Sequence, residues 1–252
     1  RDYCKVASRY GTNADLKRLF DEIHKRDMHI LLDLVPGHTS WEHPWFQEAT
    51  GYLKTLPKDA EPDLSDCQYV DYYNFSRESG GSGWRAVEGT DWFYEGVFDY
   101  AMPDLNLGNE SVREEIANIM KFWLDKGVDG FRLDAVTSFH AADVKENVAT
   151  LDKIKAMCEE AKPGSYVVGE AWVGQSALAE YWQSTVDSFF LFPAAQAEGF
   201  IVKSIMGRSP NAKLYVSGLE KALEAIDAFT AIGTYRDSEY QLQIACYMAG
   251  EQ

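Results

Sequence analysis

The chain of 252 residues is 46% hydrophobic and 25% charged, which is the composition of a folded globular protein and excludes disordered or fibrous classes. Its formal net charge of −16 repels polyanions, so no nucleic-acid partner is expected, while neutral substrates stay open. No run of 18 apolar residues occurs, so no membrane span is expected; Arg1-Asp2-Tyr3 resembles neither a signal peptide nor a natural start. The four cysteines, Cys4, Cys67, Cys158 and Cys246, are far apart and form no C-x-x-C pair, so neither a zinc site nor a redox motif is indicated. Aromatic residues make up 13% of the chain. They serve either a large core or a stacking surface for flat ligands such as sugar rings.

In chain order, Asn13 is positioned as an N-cap before Leu16, Leu19, Phe20 and Ile23 at helical spacing. The short apolar run 29–35, halted by Pro36-Gly37, predicts a buried strand. Residues 41–98 then break the rhythm. They are rich in Gly, Ser, Asp and aromatics and hold four of the seven tryptophans, Trp41, Trp45, Trp84 and Trp92. A stretch this long and irregular is expected to be an inserted domain or a functional wall. Its Gly-rich run 80–83 follows no predicted strand, so a phosphate loop is not expected. The alternation resumes with Ser111-x-x-Glu114 as a capping box and an apolar face of Val112, Ile116, Ile119, Met120 and Trp123, ended by Gly127. A strand over 129–134, a helix marked by Leu151, Ile154 and Cys158, and strands over 165–170 and 186–192 follow. A further helix is expected over 214–229. Repeated βα units predict a parallel sheet, as an open doubly wound sheet or as a barrel.

Three predicted strands end in polar groups: Asp33 with His38, Arg132 with Asp134, and Glu170. Charged side chains are rarely buried in a strand unless paired, and a barrel gathers strand C-termini at one mouth. Paired carboxylates suit metal binding or glycoside hydrolysis. Alternate strand residues share a face, so Arg132 and Asp134 point the same way, and a cation there favours an ionised nucleophile. His24, His43 and His140 have no ligand spacing and are expected to be surface or satisfied polar groups.

Asp33-Leu34-Val35-Pro36-Gly37-His38, Gly130-Phe131-Arg132-Leu133-Asp134 and Gly169-Glu170-Ala171-Trp172 resemble, in order and spacing, the first three signature regions of glycoside hydrolase family 13, the α-amylase superfamily. Met102-Pro103-Asp104-Leu105-Asn106 resembles its additional short motif. The resemblance runs to about residue 195 and implies a (β/α)8 TIM-barrel fold. Residues 1–40 and 99–252 would form part of the barrel, and 41–98 would be the domain inserted after barrel strand 3. It implies Asp134 as nucleophile, Glu170 as acid/base, Arg132 as the partner of the nucleophile, His38 as a sugar-binding histidine and Asp33 as a supporting residue. Trp172 would border the cleft. The implied activity is retaining hydrolysis of α-glucosidic bonds in starch-derived glucans or maltooligosaccharides. Ala135 after the nucleophile favours α-1,4 over α-1,6 linkages. The alternatives are a transglycosylase or disaccharide isomerase on the same scaffold, or a non-catalytic family member serving as a binding subunit.

Three departures shape the expectations. No cofactor is required; a structural Ca2+ stays open, but Gly37 stands where many amylases have the Asn that ligates it, which puts calcium at that place in doubt. The Asn-His-Asp of the fourth signature is missing, and Asp237 of Tyr235-Arg236-Asp237 is the residue that spacing offers as the third carboxylate. The barrel is expected to be incomplete at both ends, with open edges that favour self-association and little activity of this chain alone.

Overall fold

The computed structural model describes residues 2–141, 143–195, 199–206 and 211–230. The chain divides into two compact units. The first takes residues 1–134 and 156–165, the second 135–155 and 166–252.

In the first unit, α1 (Asn13–His24) begins one residue before the sequence suggests, because Thr12 and not Asn13 is the N-cap. Thr12 Oγ1 accepts from the Asp15 N–H, and the Asp15 carboxylate accepts from the Thr12 N–H, a reciprocal capping box. The Asn13 side chain is used elsewhere, bridging the Val6 N–H and the Cys4 carbonyl. Strand β1 (Leu31–Leu34) occupies the middle of its predicted run. Helix α2 (Pro44–Leu53) starts with Pro at its first position, where the missing N–H costs nothing, and buries Phe46, Ala49 and Leu53. A small antiparallel sheet in the order β2 (Phe75–Ser76), β4 (Phe93–Glu95), β3 (Trp84–Ala86) follows. The Gly-rich run 80–83 links β2 to β3. It does follow a strand, contrary to the sequence reading, but it leads into no helix and so forms no phosphate cradle.

Helix α3 (Glu110–Leu124) is capped by Asn109, whose side chain accepts from the Ser111 N–H. The Ser111–Glu114 box is therefore corrected: the chain turns helical at Glu110, and Ser111 lies inside the first turn. The expected apolar face is buried, and Gly127, at φ 108°, returns its N–H to the Leu124 carbonyl. Strand β5 (Gly130–Leu133) pairs in parallel with β1, Leu31 against Gly130 through Leu34 against Leu133. The alternation of β5 buries Phe131 and Leu133 and leaves Arg132 on the other face.

In the second unit, Ala135 takes a left-handed conformation (φ 48°, ψ 45°) and opens a 3-10 turn at Val136–Ser138. Helix α4 (Val144–Ala161) begins here and runs on into the first unit. Asn147 at its start is fully buried and satisfied by the His140 N–H, the Thr137 carbonyl and the Tyr181 hydroxyl. Strand β6 (Tyr166–Gly169) leads to α5 (Gln175–Tyr181), and β7 (Ser188–Phe189) pairs in parallel with β6. The strand predicted over 186–192 keeps only two residues, because Pro193 lies at the start of the short helix α6 (Phe192–Ala195). Helices α7 (Phe200–Met206) and α8 (Ala212–Thr230) follow, the last close to its predicted bounds. Among the described residues no helix is long and apolar enough to cross a membrane, and Cys4 and Cys67 are free thiols.

Candidate active site

In the first unit the register of β1 on β5 sets Asp33 beside Arg132 at the C-terminal ends of two parallel strands. The Arg132 Nη1 donates to Asp33 Oδ1 at 2.6 Å and to Asp134 Oδ1 at 2.7 Å. One guanidinium thus spans two carboxylates, and a charge-assisted bond of this length strongly orients both partners. Arg132 and Asp134 are each 24% exposed, Asp33 60%. The backbone of Asp134 is anchored as well, its N–H donating to the Leu34 carbonyl at 2.9 Å.

His38 lies four residues beyond β1. Its carbonyl accepts from the buried Tyr3 hydroxyl at 2.9 Å, and its backbone bridges to Asp104 in antiparallel fashion. Burial pushes the imidazole below its usual range, opposed by the smaller pull of the Asp134 charge, which favours a neutral ring at neutral pH. The ring lies 5.4 Å from that of Phe98. The two short motifs are laced together: Leu105 donates to the Gly37 carbonyl at 2.9 Å, and Thr39 to the Pro103 carbonyl at 3.0 Å.

Sequence reasoning gave Asp104 no role of its own. Its carboxyl is 7% exposed, accepts from the Val97 N–H at 2.9 Å, and is pushed up to about 6 by burial. It thereby ties down the segment carrying Phe98. The sequence signal was an Asp inside an apolar motif, a residue type rarely buried without a reason. Phe98 had no signal beyond lying in an aromatic-rich run.

In the second unit Glu170 directly follows β6. Its Oε2 accepts from the Ala135 N–H at 3.2 Å, and its carbonyl accepts from the Val136 N–H at 3.1 Å. The left-handed Ala135 turns these two amides towards one residue. Positive φ at a non-glycine residue is uncommon and clusters at functional sites. Gly169 is required before Glu170: a Cβ there would come within 2.6 Å of the Phe189 ring. Trp172 is 59% exposed, with its ring stacked 4.1 Å from that of Phe192.

The other expectations divide. His43 caps α2, His24 pairs with Asp129 at 2.8 Å and His140 with Thr150 at 2.7 Å, so all three are satisfied polar groups. Trp92 is buried under the Arg77 guanidinium. Asp237 lies outside the described residues. Among the described residues no three His, Cys, Asp or Glu side chains group as metal ligands. Gly37 does not fit the calcium ligand of the family motif, since it has no side-chain oxygen and its carbonyl is engaged by Leu105.

Comparison with known proteins shows the family. The family model described as "Alpha amylase, catalytic domain" matches residues 1–228. Alpha-amylase 3 of Dictyoglomus thermophilum is 37% identical over 195 residues, covering 76% of this chain and 36% of that protein. An oligo-1,6-glucosidase of Heyndrickxia coagulans is 43% identical over 145 residues, covering 55% of this chain and 25% of that protein. The solved structure of Eubacterium rectale Amy13B superposes with a TM-score of 0.87 at 41% identity, covering 94% of this chain and 45% of that one. The α-amylase from H. orenii gives a TM-score of 0.74 at 32% identity, covering 90% and 44%. The chain therefore spans less than half the length of these relatives. Parallel strands, their helices and the antiparallel insert make up part of an α/β barrel catalytic domain, and the chain belongs to the α-amylase family, glycoside hydrolase family 13.

Proposed function

We propose that the protein hydrolyses α-1,4-glucosidic bonds of maltooligosaccharides and starch-derived glucans with retention of anomeric configuration, using Asp134 as nucleophile and Glu170 as acid/base. The observation that carries the reading is the Arg132 guanidinium held between Asp33 and Asp134 at the end of β5. A cation 2.7 Å from Asp134 favours its ionised form and fixes the direction of its oxygen, which is what attack on an anomeric carbon needs.

In the first step an Asp134 oxygen bonds to C1 of the sugar while the C1–O bond to the leaving sugar breaks. The Glu170 carboxyl gives its proton to that departing oxygen. In the second step Glu170, now ionised, takes a proton from water; the water oxygen bonds to C1 and the bond to Asp134 breaks. The Ala135 N–H on Glu170 Oε2 fixes the direction of the carboxyl. A neutral His38 can both accept from and donate to sugar hydroxyls, a role that an imidazolium could fill only as donor.

The relatives bear names from both linkage classes, α-amylase and oligo-1,6-glucosidase. The α-1,4 preference rests on Ala135, whose small side chain follows the nucleophile. Initial rates on maltotriose and isomaltotriose test it, with maltotriose expected to be cleaved at least about tenfold faster; a preference for isomaltotriose refutes the linkage. Asp134→Asn and Glu170→Gln are each expected to lower turnover by at least about a hundredfold. Near-native turnover in either refutes the roles assigned.

A further inference from the structure

The geometry points to a second α-glucan-binding site in the insert, on the cavity that Trp41, Trp84, Arg85 and Tyr100 border; its ligand class rests on the glucan reading above. The cavity, of about 550 Å3, opens between α2, β3 and the loop after β4. That volume lies within the usual range of small-ligand sites, about 300–1,000 Å3. None of Asp33, His38, Arg132 and Asp134 lines it.

Two observations identify the ligand chemistry. The first is an open aromatic platform. Trp41 is 43% exposed and Tyr100 54%, and their rings meet edge to face at 5.3 Å and 88°. Trp41 is held from both sides, its N–H donating to the Ala101 carbonyl at 2.9 Å and its carbonyl accepting from Gln47 Nε2 at 2.7 Å. A half-exposed indole on a backbone anchored at both its N–H and its carbonyl gives a sugar a stacking face, and the flat C–H face of a pyranose is the complement of such a ring. Trp84 is fixed in its turn: a Cβ on Gly80 would lie 2.2 Å from the indole nitrogen, so only glycine lets the loop close over that edge.

The second observation is an unanswered donor. Arg85 Nε is buried without a hydrogen-bond partner among the described residues, and Arg85 lines the cavity. A desolvated donor with no acceptor is a rare and costly feature of a folded protein unless a ligand completes it. Lys54 and Glu88 line the same cavity, so it offers both signs of charge and both hydrogen-bond roles. Aromatic faces with mixed donors and acceptors fit a neutral polyhydroxylated ligand better than an inorganic anion.

The test is calorimetric titration of maltoheptaose into the protein carrying Asp134→Asn, which prevents turnover. Two sites per chain are expected. Adding Trp41→Ala and Tyr100→Ala should remove one of them, and adding Arg85→Gln alone should weaken that one by about tenfold, the scale of a lost stacking or hydrogen-bonding contact. Where the double aromatic variant does not melt cooperatively, Arg85→Gln carries the test. A single site that these substitutions leave unchanged overturns the second site only. Absence of maltoheptaose binding altogether overturns the glucan reading itself. Inorganic phosphate binding that is lost with Arg85→Gln, with no maltoheptaose at the second site, also overturns the proposal.

Discussion

In the proposed reaction, Arg132 is the residue on which the first unit's part turns. Replacing it by Gln keeps a donor but removes the charge between Asp33 and Asp134, so we expect turnover to fall by about a hundredfold or more while the fold persists, measured as kcat with thermal melting as control. A variant with native turnover would mean that the guanidinium only packs. Asp104 gives a second residue-scale expectation, in pH. Its folded pKa of about 6 lies above the ordinary value of 3.8, so between pH 4 and 6 the folded chain binds the proton that the unfolded chain has released. Stability from this group is therefore full below about pH 4, declines as pH rises to 6, and is flat above. The total is on the order of 2–3 kcal/mol. Asp104→Asn has no such titration. The urea stability of wild type relative to this variant should fall by that amount from pH 4 to pH 7.5, and a pH-independent difference would contradict the assignment. Asp33, His38, Arg132, Asp134 and Glu170 were legible in the sequence because charged groups at strand ends stand out against apolar runs. Asp104 stood out only as an Asp inside an apolar motif, and its partners, the Val97 N–H and the Glu95 charge, are brought near only by the folded loop.

At the scale of elements, Asp129 ties the start of β5 to α1 and to Lys162, the residue after α4. It pairs with His24 of α1 at 2.8 Å and with Lys162, just beyond α4, at 3.1 Å, and accepts from the Ile30 N–H at 2.9 Å. Burial alone would raise its pKa, but these hydrogen bonds and the Lys162 charge outweigh it and hold the carboxyl at about 2. Stability from Asp129 is thus present above about pH 4 and lost as pH falls towards 2. Asp129→Asn should cost about 2 kcal/mol at pH 7, with the gap closing between pH 4 and 2 in denaturant titrations. A gap that persists at pH 2 would show a packing role instead. Periodicity located the helices and strands because burial acts on the same residues that define the pattern. The ends were harder. Thr12 displaced Asn13 as cap because Asp15 could complete its box, and Asn109 displaced Ser111 because the helix starts at Glu110. Strand β7 shrank where Pro193 starts a helix. Such competitions between neighbouring caps and breakers are settled by tertiary position, which spacing does not encode.

At the scale of the whole molecule, the catalytic reading requires the ends of β5 and β6 to act on one bond. A retaining pair needs its carboxyl groups about 5–5.5 Å apart, against about 6.5–9.5 Å for inversion. A crystal structure with a bound maltooligosaccharide should place Asp134 and Glu170 at the shorter separation, on opposite sides of the scissile bond. The most direct test of the central claim is capture of the covalent intermediate. The protein incubated with a 5-fluoro-α-glucosyl fluoride should gain one glycosyl mass, and peptide mapping should place the ester on Asp134, with no label in Asp134→Asn. A label on another residue, or turnover of this reagent with release of β-configured product, would contradict the account.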